Sequence, residues 1–198
     1  CLIIAAGMGS RLNPCTDDLP KCMLKFHDKT LLERQLAAFD ANGIRNISVI
    51  RGYRKEKIHY PGLKYFENFN YENNNILNSL FCAEKEINGN VVISYSDILF
   101  EDQVITRLLQ STHNISIVVD IDWREHYVGR KDHPYEEAES VIFDADNNVV
   151  EIGKMLTAKN DMHGEFIGMM KLTPRGAEVF KKHFEQAKAL YNGKPFQR

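Results

Sequence analysis

An apolar run that ends on two glycines and an arginine opens the chain: Leu2-Ile-Ile-Ala-Ala-Gly7-Met-Gly9-Ser-Arg11-Leu12. An unbroken apolar stretch suits a strand covered on both faces, which parallel sheets produce and half-solvated antiparallel strands do not. Glycines at this spacing let the backbone turn so that successive N–H groups converge on one anion, and Arg11 adds a fixed charge beside them. Gly-x-Gly alone is also what any tight turn needs. Two familiar phosphate loops are excluded, because Leu12 stands where G-x-G-x-x-G needs its third glycine and no Gly-Lys-Ser/Thr follows. Further on, Pro20 stiffens the chain just before Lys21, so that Arg11 and Lys21 can flank one polyphosphate.

Short apolar runs then alternate with helical patterns, the signature of an α/β fold with a mostly parallel central sheet flanked by helices. Strands are predicted at Leu2–Ala6, Ile47–Ile50, Leu63–Phe66, Val91–Tyr95, Ile115–Ile121, Ser140–Phe143, Val149–Ile152 and Phe166–Leu172. Helices are predicted over Leu31–Asn42, ended by Gly43, over Ile76–Glu86, and from Pro174 to Asn192 behind an N-cap at Thr173. Arg124–Glu137 reads as a loop at the rim of a site. Residues 1–198 are expected to form one domain, or a main domain with a small lobe. The chain opens without lead-in and closes on Gly193-Lys-Pro-Phe-Gln-Arg198, which predicts further residues or a fused domain beyond these ends.

Twenty-five basic residues nearly balance 27 acidic ones, so no bulk field recommends nucleic acid, and any anion site must be local. No apolar run approaches the roughly 20 residues of a membrane span. Cys1, Cys15, Cys22 and Cys82 show no metal-ligand spacing, and reduced thiols in a cytoplasm are the plain expectation. The second chemical signal is Val91-Val-Ile-Ser-Tyr-Ser-Asp97, an apolar strand ending on a carboxylate. Such a residue faces the crevice in doubly wound sheets and suits Mg²⁺, which takes one or two protein carboxylates plus phosphate oxygens. It could equally cap the helix that follows.

The strand, Ala-Ala-Gly-x-Gly-x-Arg-Leu and Pro20-Lys21 together resemble the nucleotidyltransferase signature of the sugar-phosphate nucleotidyltransferases and the phosphocholine cytidylyltransferase type. The resemblance implies a Rossmann-like fold in which the backbone of Ile4, Ala5, Ala6 and Gly7 holds the base. It further implies that Met8, Gly9, Ser10, Arg11 and Lys21 hold the triphosphate and that Asp97 holds Mg²⁺. Gly52-Tyr53 and the asparagine-rich stretch Glu72-Asn-Asn-Asn-Ile-Leu-Asn-Ser79-Leu80, with Asn75 and Ser79, resemble elements bordering the nucleotide in choline-phosphate-type enzymes. A second metal aspartate usual in the family has no counterpart between Gly193 and Arg198.

Asp120, Asp122, Trp123, Tyr127 and Glu165 offer carboxylates and aromatic faces to an amine, and Lys154 is the cation that the resemblance places for a phosphate or phosphonate; together they predict a zwitterionic acceptor. Tyr95-Ser-Asp-Ile-Leu-Phe100 and Gly164-Glu-Phe-Ile-Gly168 resemble the 2-aminoethylphosphonate cytidylyltransferase domains fused to phosphonopyruvate-forming mutases. CTP is the implied nucleotide, with phosphocholine or a sugar 1-phosphate as rival acceptors. A noncatalytic nucleotide-binding module of the same fold is the non-enzymatic alternative, but this chain keeps Arg11, Lys21 and Asp97. The missing third glycine argues against a dinucleotide-dependent oxidoreductase, and the sequence leaves the oligomeric state open.

Overall fold

The computed structural model describes residues 1–130, 134–154, 156 and 163–190. In chain order its strands and helices are β1 (Leu2–Ala5), β2 (Lys25–Phe26), β3 (Lys29–Thr30), α1 (Leu31–Ala41), β4 (Ser48–Arg51), β5 (Lys64–Glu67), α2 (Ile76–Phe81), β6 (Val91–Tyr95), α3 (Asp102–Gln110), β7 (Ile115–Asp120), β8 (Ser140–Phe143), β9 (Val149–Gly153), β10 (Gly164–Leu172) and α4 (Pro174–Leu190). They fall into two compact units: Cys1–Ser116 with Met170–Leu190, and Ile117–Met169.

In the first unit the strand order is β5-β4-β1-β6-β10. β1 lies at its centre, parallel to β4 on one side and to β6 on the other, with Ile4 opposite Ile50 and Tyr95, and β4 pairs in parallel with β5. Leu2, Ile4, Ile50, Leu80, Ala83, Ile87, Val91, Ile93, Leu172 and Ala177 form one buried cluster. Burial of β1 on both faces explains why its residues are apolar without alternation. A capping box fixes the start of α1: Thr30 Oγ1 accepts from Glu33 N at 3.1 Å, and Glu33 Oε2 accepts from Thr30 N at 2.7 Å. Asp97 is not a helix cap, since α3 begins at Asp102 behind Glu101.

Two elements depart from the sequence reading. The predicted helix over Ile76–Glu86 is α through Phe81 and resumes as a single 3-10 turn at Glu84–Glu86; the break lets Ala83 and Ile87 both reach the core with no exposure. The short β2–β3 hairpin carries no apolar pattern to announce it. Tyr191 and Asn192, on which the helical pattern of the sequence closes, lie outside the described residues, as does the tail from Gly193; α4 is described through Leu190.

Lys171 is buried, and its ammonium donates to Leu109 O at 3.3 Å and to Ser111 O, carbonyls at the C-terminal end of α3. A cation at the negative end of a helix offsets its own desolvation and satisfies carbonyls the helix leaves unpaired.

The second unit contains β8 and β9, antiparallel, and the first part of β10, with which both β7 and β8 pair. Its small core packs Trp123, Tyr127 and Ala138 together. Gly164 is obligatory there, because a Cβ would stand 2.7 Å from Asp120 O.

Candidate active site

The carboxyl ends of β1 and β6, the glycine loop, the Lys21 turn and the start of α2 enclose one cleft. Ile4, Ala5, Ala6, Gly7, Gly9, Arg11, Lys21, Asn75, Ser79 and Asp97, all singled out from the sequence, line it. The β1 ladders end at Ala5 on the β4 side and at Ile4 on the β6 side, so the backbone leaves the sheet into the cleft, as a parallel sheet provides at the ends of its strands.

Gly9 adopts φ of 65°, in the left-handed region, and starts a 3-10 turn over Ser10–Leu12 that carries Arg11. A Cβ at Gly9 would lie 3.2 Å from Lys21 Cβ, so the glycine also lets the Lys21 stem pack against the loop. Thr16, 1% exposed, braces the same loop through its hydroxyl, within 2.9 Å of Gly9 O and 2.8 Å of Asn13 Oδ1. Lys21 opens its own 3-10 turn directly after Pro20.

Across the cleft Lys21 Nζ lies 2.6 Å from Asp97 Oδ2, each side chain about a third exposed. The two residues singled out as phosphate cation and metal carboxylate thus neutralise each other. A strand-end carboxylate is the kind of donor Mg²⁺ takes, which is one or two hard oxygens from the protein and the rest from phosphate or water. No group of three or more His, Cys, Asp or Glu side chains that could hold a metal ion lies among the described residues.

Cys22 and Tyr71 also line the cleft and carried no signal in the sequence, while Asn74, Tyr95 and Ser96 line it from within the quoted motifs without having been singled out one by one. Burial pushes the Cys22 thiol up to about 12, against a partly compensating hydrogen bond with Ser96, so the thiol is neutral wall and not a nucleophile. The asparagine-rich stretch is organised by a residue outside it. Asn68, 3% exposed, exchanges amide hydrogen bonds with Asn74 at 2.8 and 3.1 Å and donates to Ser79 Oγ at 2.8 Å. Asn75 caps α2 by accepting from Asn78 N at 3.0 Å.

Gly52 and Tyr53 stand behind the cleft wall. Tyr53 sends its hydroxyl to Thr16 O at 3.1 Å and to Asp17 O, and so braces the turn below the loop. A Cβ on Gly52 would meet Ala6 O at 2.6 Å and Tyr71 Cβ at 2.9 Å, both in lining residues. Gly52→Ala is therefore expected to cost about 1–3 kcal/mol of stability by overpacking and to raise the nucleotide KM by roughly tenfold; denaturant titration and steady-state kinetics check both, and an unchanged KM would separate Ala6 from nucleotide binding. Met8 is exposed, and Ser10 begins the Arg11 turn; neither lines the cleft.

The remaining candidates belong to the second unit. Asp120 pairs with His126 at 3.1 Å and accepts from Asp122 N at 2.9 Å. Trp123 is 1% exposed and packs edge-on against Tyr127, so it presents core surface and not an open aromatic face. Tyr127 donates to Glu165; burial foremost, and then that bond, raise its phenol well above the ordinary range. Asp122 is exposed and Lys154 partly so.

A parallel sheet whose central strand ends in a glycine-arginine loop facing a lysine and a strand-end aspartate defines a nucleotide-handling α/β domain. The chain belongs to the family of MobA-like NTP transferase domains, which it matches over residues 1–157, and it is a nucleotidyltransferase. It is 29% identical to a CTP:phosphoglutamine cytidylyltransferase of Campylobacter jejuni over 99% of this chain and 82% of that protein. It is 33% identical to the choline-phosphate cytidylyltransferase of Streptococcus pneumoniae over 57% of this chain and 51% of that protein, and 29% identical to a 2-aminoethylphosphonate cytidylyltransferase of Lancefieldella rimae over 77% and 60%. The chain thus spans only part of these relatives. Among solved structures, the CTP:phosphocholine cytidylyltransferase of Streptococcus pneumoniae superposes with a TM-score of 0.75 at 23% identity, covering 98% of this chain and 78% of that one, which bears out the fold.

Proposed function

We propose that this nucleotidyltransferase transfers CMP from CTP to a small amino compound bearing a phosphate or phosphonate, releasing pyrophosphate. The observation that carries the reading is the convergence of the β1 backbone, Arg11, Lys21 and Asp97 on one cleft. The cytidylyl donor and the acceptor class are supported by the three relatives, all cytidylyltransferases.

An acceptor oxygen attacks the α-phosphorus in line; the new P–O bond forms as the bond to the bridging oxygen of pyrophosphate breaks, and the electron pair leaves with pyrophosphate. No general base is needed, because a phosphate or phosphonate oxygen is already anionic near neutral pH. Catalysis then reduces to orientation and charge neutralisation. Backbone N–H groups of the Gly7–Gly9 loop and the Arg11 guanidinium orient the triphosphate. Lys21 exchanges Asp97 for a phosphate oxygen and stabilises charge as it builds up. Asp97 would hold Mg²⁺, which when bound supplies further neutralisation of the phosphates. We assign acceptor recognition to Asp120, Asp122, Glu165 and Lys154, with Tyr127 fixing Glu165 and Trp123 supporting Tyr127. Four free cysteines agree with a cytoplasmic setting, and no described helix is long and apolar enough to cross a membrane.

The Campylobacter jejuni relative, matched over 99% of this chain, acts on phosphoglutamine, which supports that compound as a candidate acceptor beside 2-aminoethylphosphonate. The test crosses CTP, UTP, GTP, ATP and dTTP with phosphoglutamine, 2-aminoethylphosphonate, phosphocholine and glucose 1-phosphate, and follows pyrophosphate release with Mg²⁺. Release with CTP and one of the first two is the expected result. Release only with UTP or dTTP and the sugar phosphate would replace the proposal with sugar activation.

A further inference from the structure

Gln35 lies in the second turn of α1, outside the cleft lining, and is 1% exposed. Its amide Nε2 donates to Tyr95 O at 2.9 Å and to Ile98 O at 2.8 Å. These two carbonyls bracket Ser96 and Asp97, so one side chain pins both ends of the turn that carries the carboxylate. Both acceptors are carbonyls, which fixes the orientation of the amide: the flipped form would set Oε1 against two oxygens. Oε1 itself has no hydrogen-bond partner among the described residues. A buried polar atom left unpaired is costly, and a residue chosen only for packing at this position would be apolar. The anchor is rigid, because the capping box at Thr30 and Glu33 locks the first turn of α1.

We infer that Gln35 is a positioning residue for Asp97, and through it for the metal that Asp97 holds. The inference rests on the reading of Asp97 as metal ligand. Asp97 is also restrained by its 2.6 Å pair with Lys21. Once phosphates draw Lys21 away that restraint is gone, and the Gln35 clamp is what keeps the carboxylate aimed into the cleft. Groups that orient a metal ligand through hydrogen bonds act on metal affinity.

Isothermal titration of CTP into the full chain, in EDTA and again in excess Mn²⁺, separates the nucleotide's own affinity from the gain the metal adds. Gln35→Met keeps the volume and removes the donors; Gln35→Glu keeps the shape and removes at least one donor, and serves should the methionine variant fail to fold. Both are expected to bind CTP in EDTA within about twofold of the parent and to lose about 10–100-fold of the metal-dependent gain. Asp97→Asn should lose that gain as well, and adding Gln35→Met to it should remove nothing more, since a residue acting through Asp97 has nothing left to position. A parental gain in the Gln35 variants, or a double variant below Asp97→Asn by the full factor of the single substitution, overturns the inference while leaving the site reading intact. A parental gain in Asp97→Asn overturns both.

Discussion

Lys21→Ala lowers kcat by about 10²–10³ while leaving the melting temperature nearly unchanged, the first figure being the usual loss on removing one donor aimed at developing oxyanion charge. Lys21 is partly exposed and its ion pair is with Asp97. A half-solvated pair of this kind contributes little to folding, since the Coulomb gain is screened and two side chains must be held still. The same ammonium becomes worth far more once a triphosphate fills the cleft and displaces water around it. The expected signature is a large kcat loss with a smaller change in the CTP KM, because charge on the phosphates grows between ground and transition state. Lys21→Arg should recover only part of the rate, since a planar fork does not replace a point charge whose stem packs against Gly9. Single-turnover measurement of pyrophosphate release checks the ordering, and near-parental turnover in Lys21→Ala would take the residue out of the reaction.

The largest stability effect is expected far from that chemistry, at Gly176. This residue lies in the first turn of α4, where the Asn114 carbonyl accepts from Thr173 N at 2.9 Å and also rests against the helix. A Cβ on Gly176 would stand 2.8 Å from the Asn114 carbonyl carbon and closer still to its oxygen. Alanine would favour the helix by up to about 1 kcal/mol over glycine, but a clash with main chain cannot be relieved by a rotamer change. Either the Thr173 hydrogen bond breaks or α4 lifts from the sheet, and lifting it disturbs Phe184, stacked on Phe81 at 3.4 Å between ring centroids. A net loss of about 3 kcal/mol is expected, at the upper end of overpacking costs, which for a chain of this size lowers the melting temperature by roughly 6–12 °C. Thermal and urea denaturation measure it; a variant as stable as the parent would show that the first turn of α4 yields at no cost.

The parallel core and the residues of the glycine loop that line the cleft were readable along the chain because their determinants are local. An unbroken apolar run bounded by glycines reads as a buried strand, Gly7 and Gly9 mark a backbone turn with Arg11 beside it, Pro20 precedes Lys21, and Asp97 stands at the end of a strand that the pattern already located. The structure then puts these residues in one cleft and bears out the α/β fold, and the family match bears out the nucleotidyltransferase class. Element ends moved by a residue or two, since hydrogen-bond ladders and not apolar pattern decide where a strand stops.

What the chain alone could not disclose depends on contacts between residues distant in sequence. Gln35 reads as one polar residue on an amphipathic helix, and only the fold sets its amide against carbonyls 60 and 63 positions away. Asn68 carries no motif, yet its amide organises Asn74 and Ser79. Tyr53 looked like a residue beside the nucleotide and is a brace beneath the loop, because its hydroxyl reaches Thr16 and Asp17. Trp123 looked like an open aromatic face and is core, because burying an indole against Tyr127 outweighs leaving it in water. Sequence by itself determined which chemistry is present, since charge, glycine freedom and apolar periodicity belong to residues one at a time. Tertiary structure alone decided which of those residues face the cleft and which hold others in place, because burial and hydrogen-bond direction are properties of pairs.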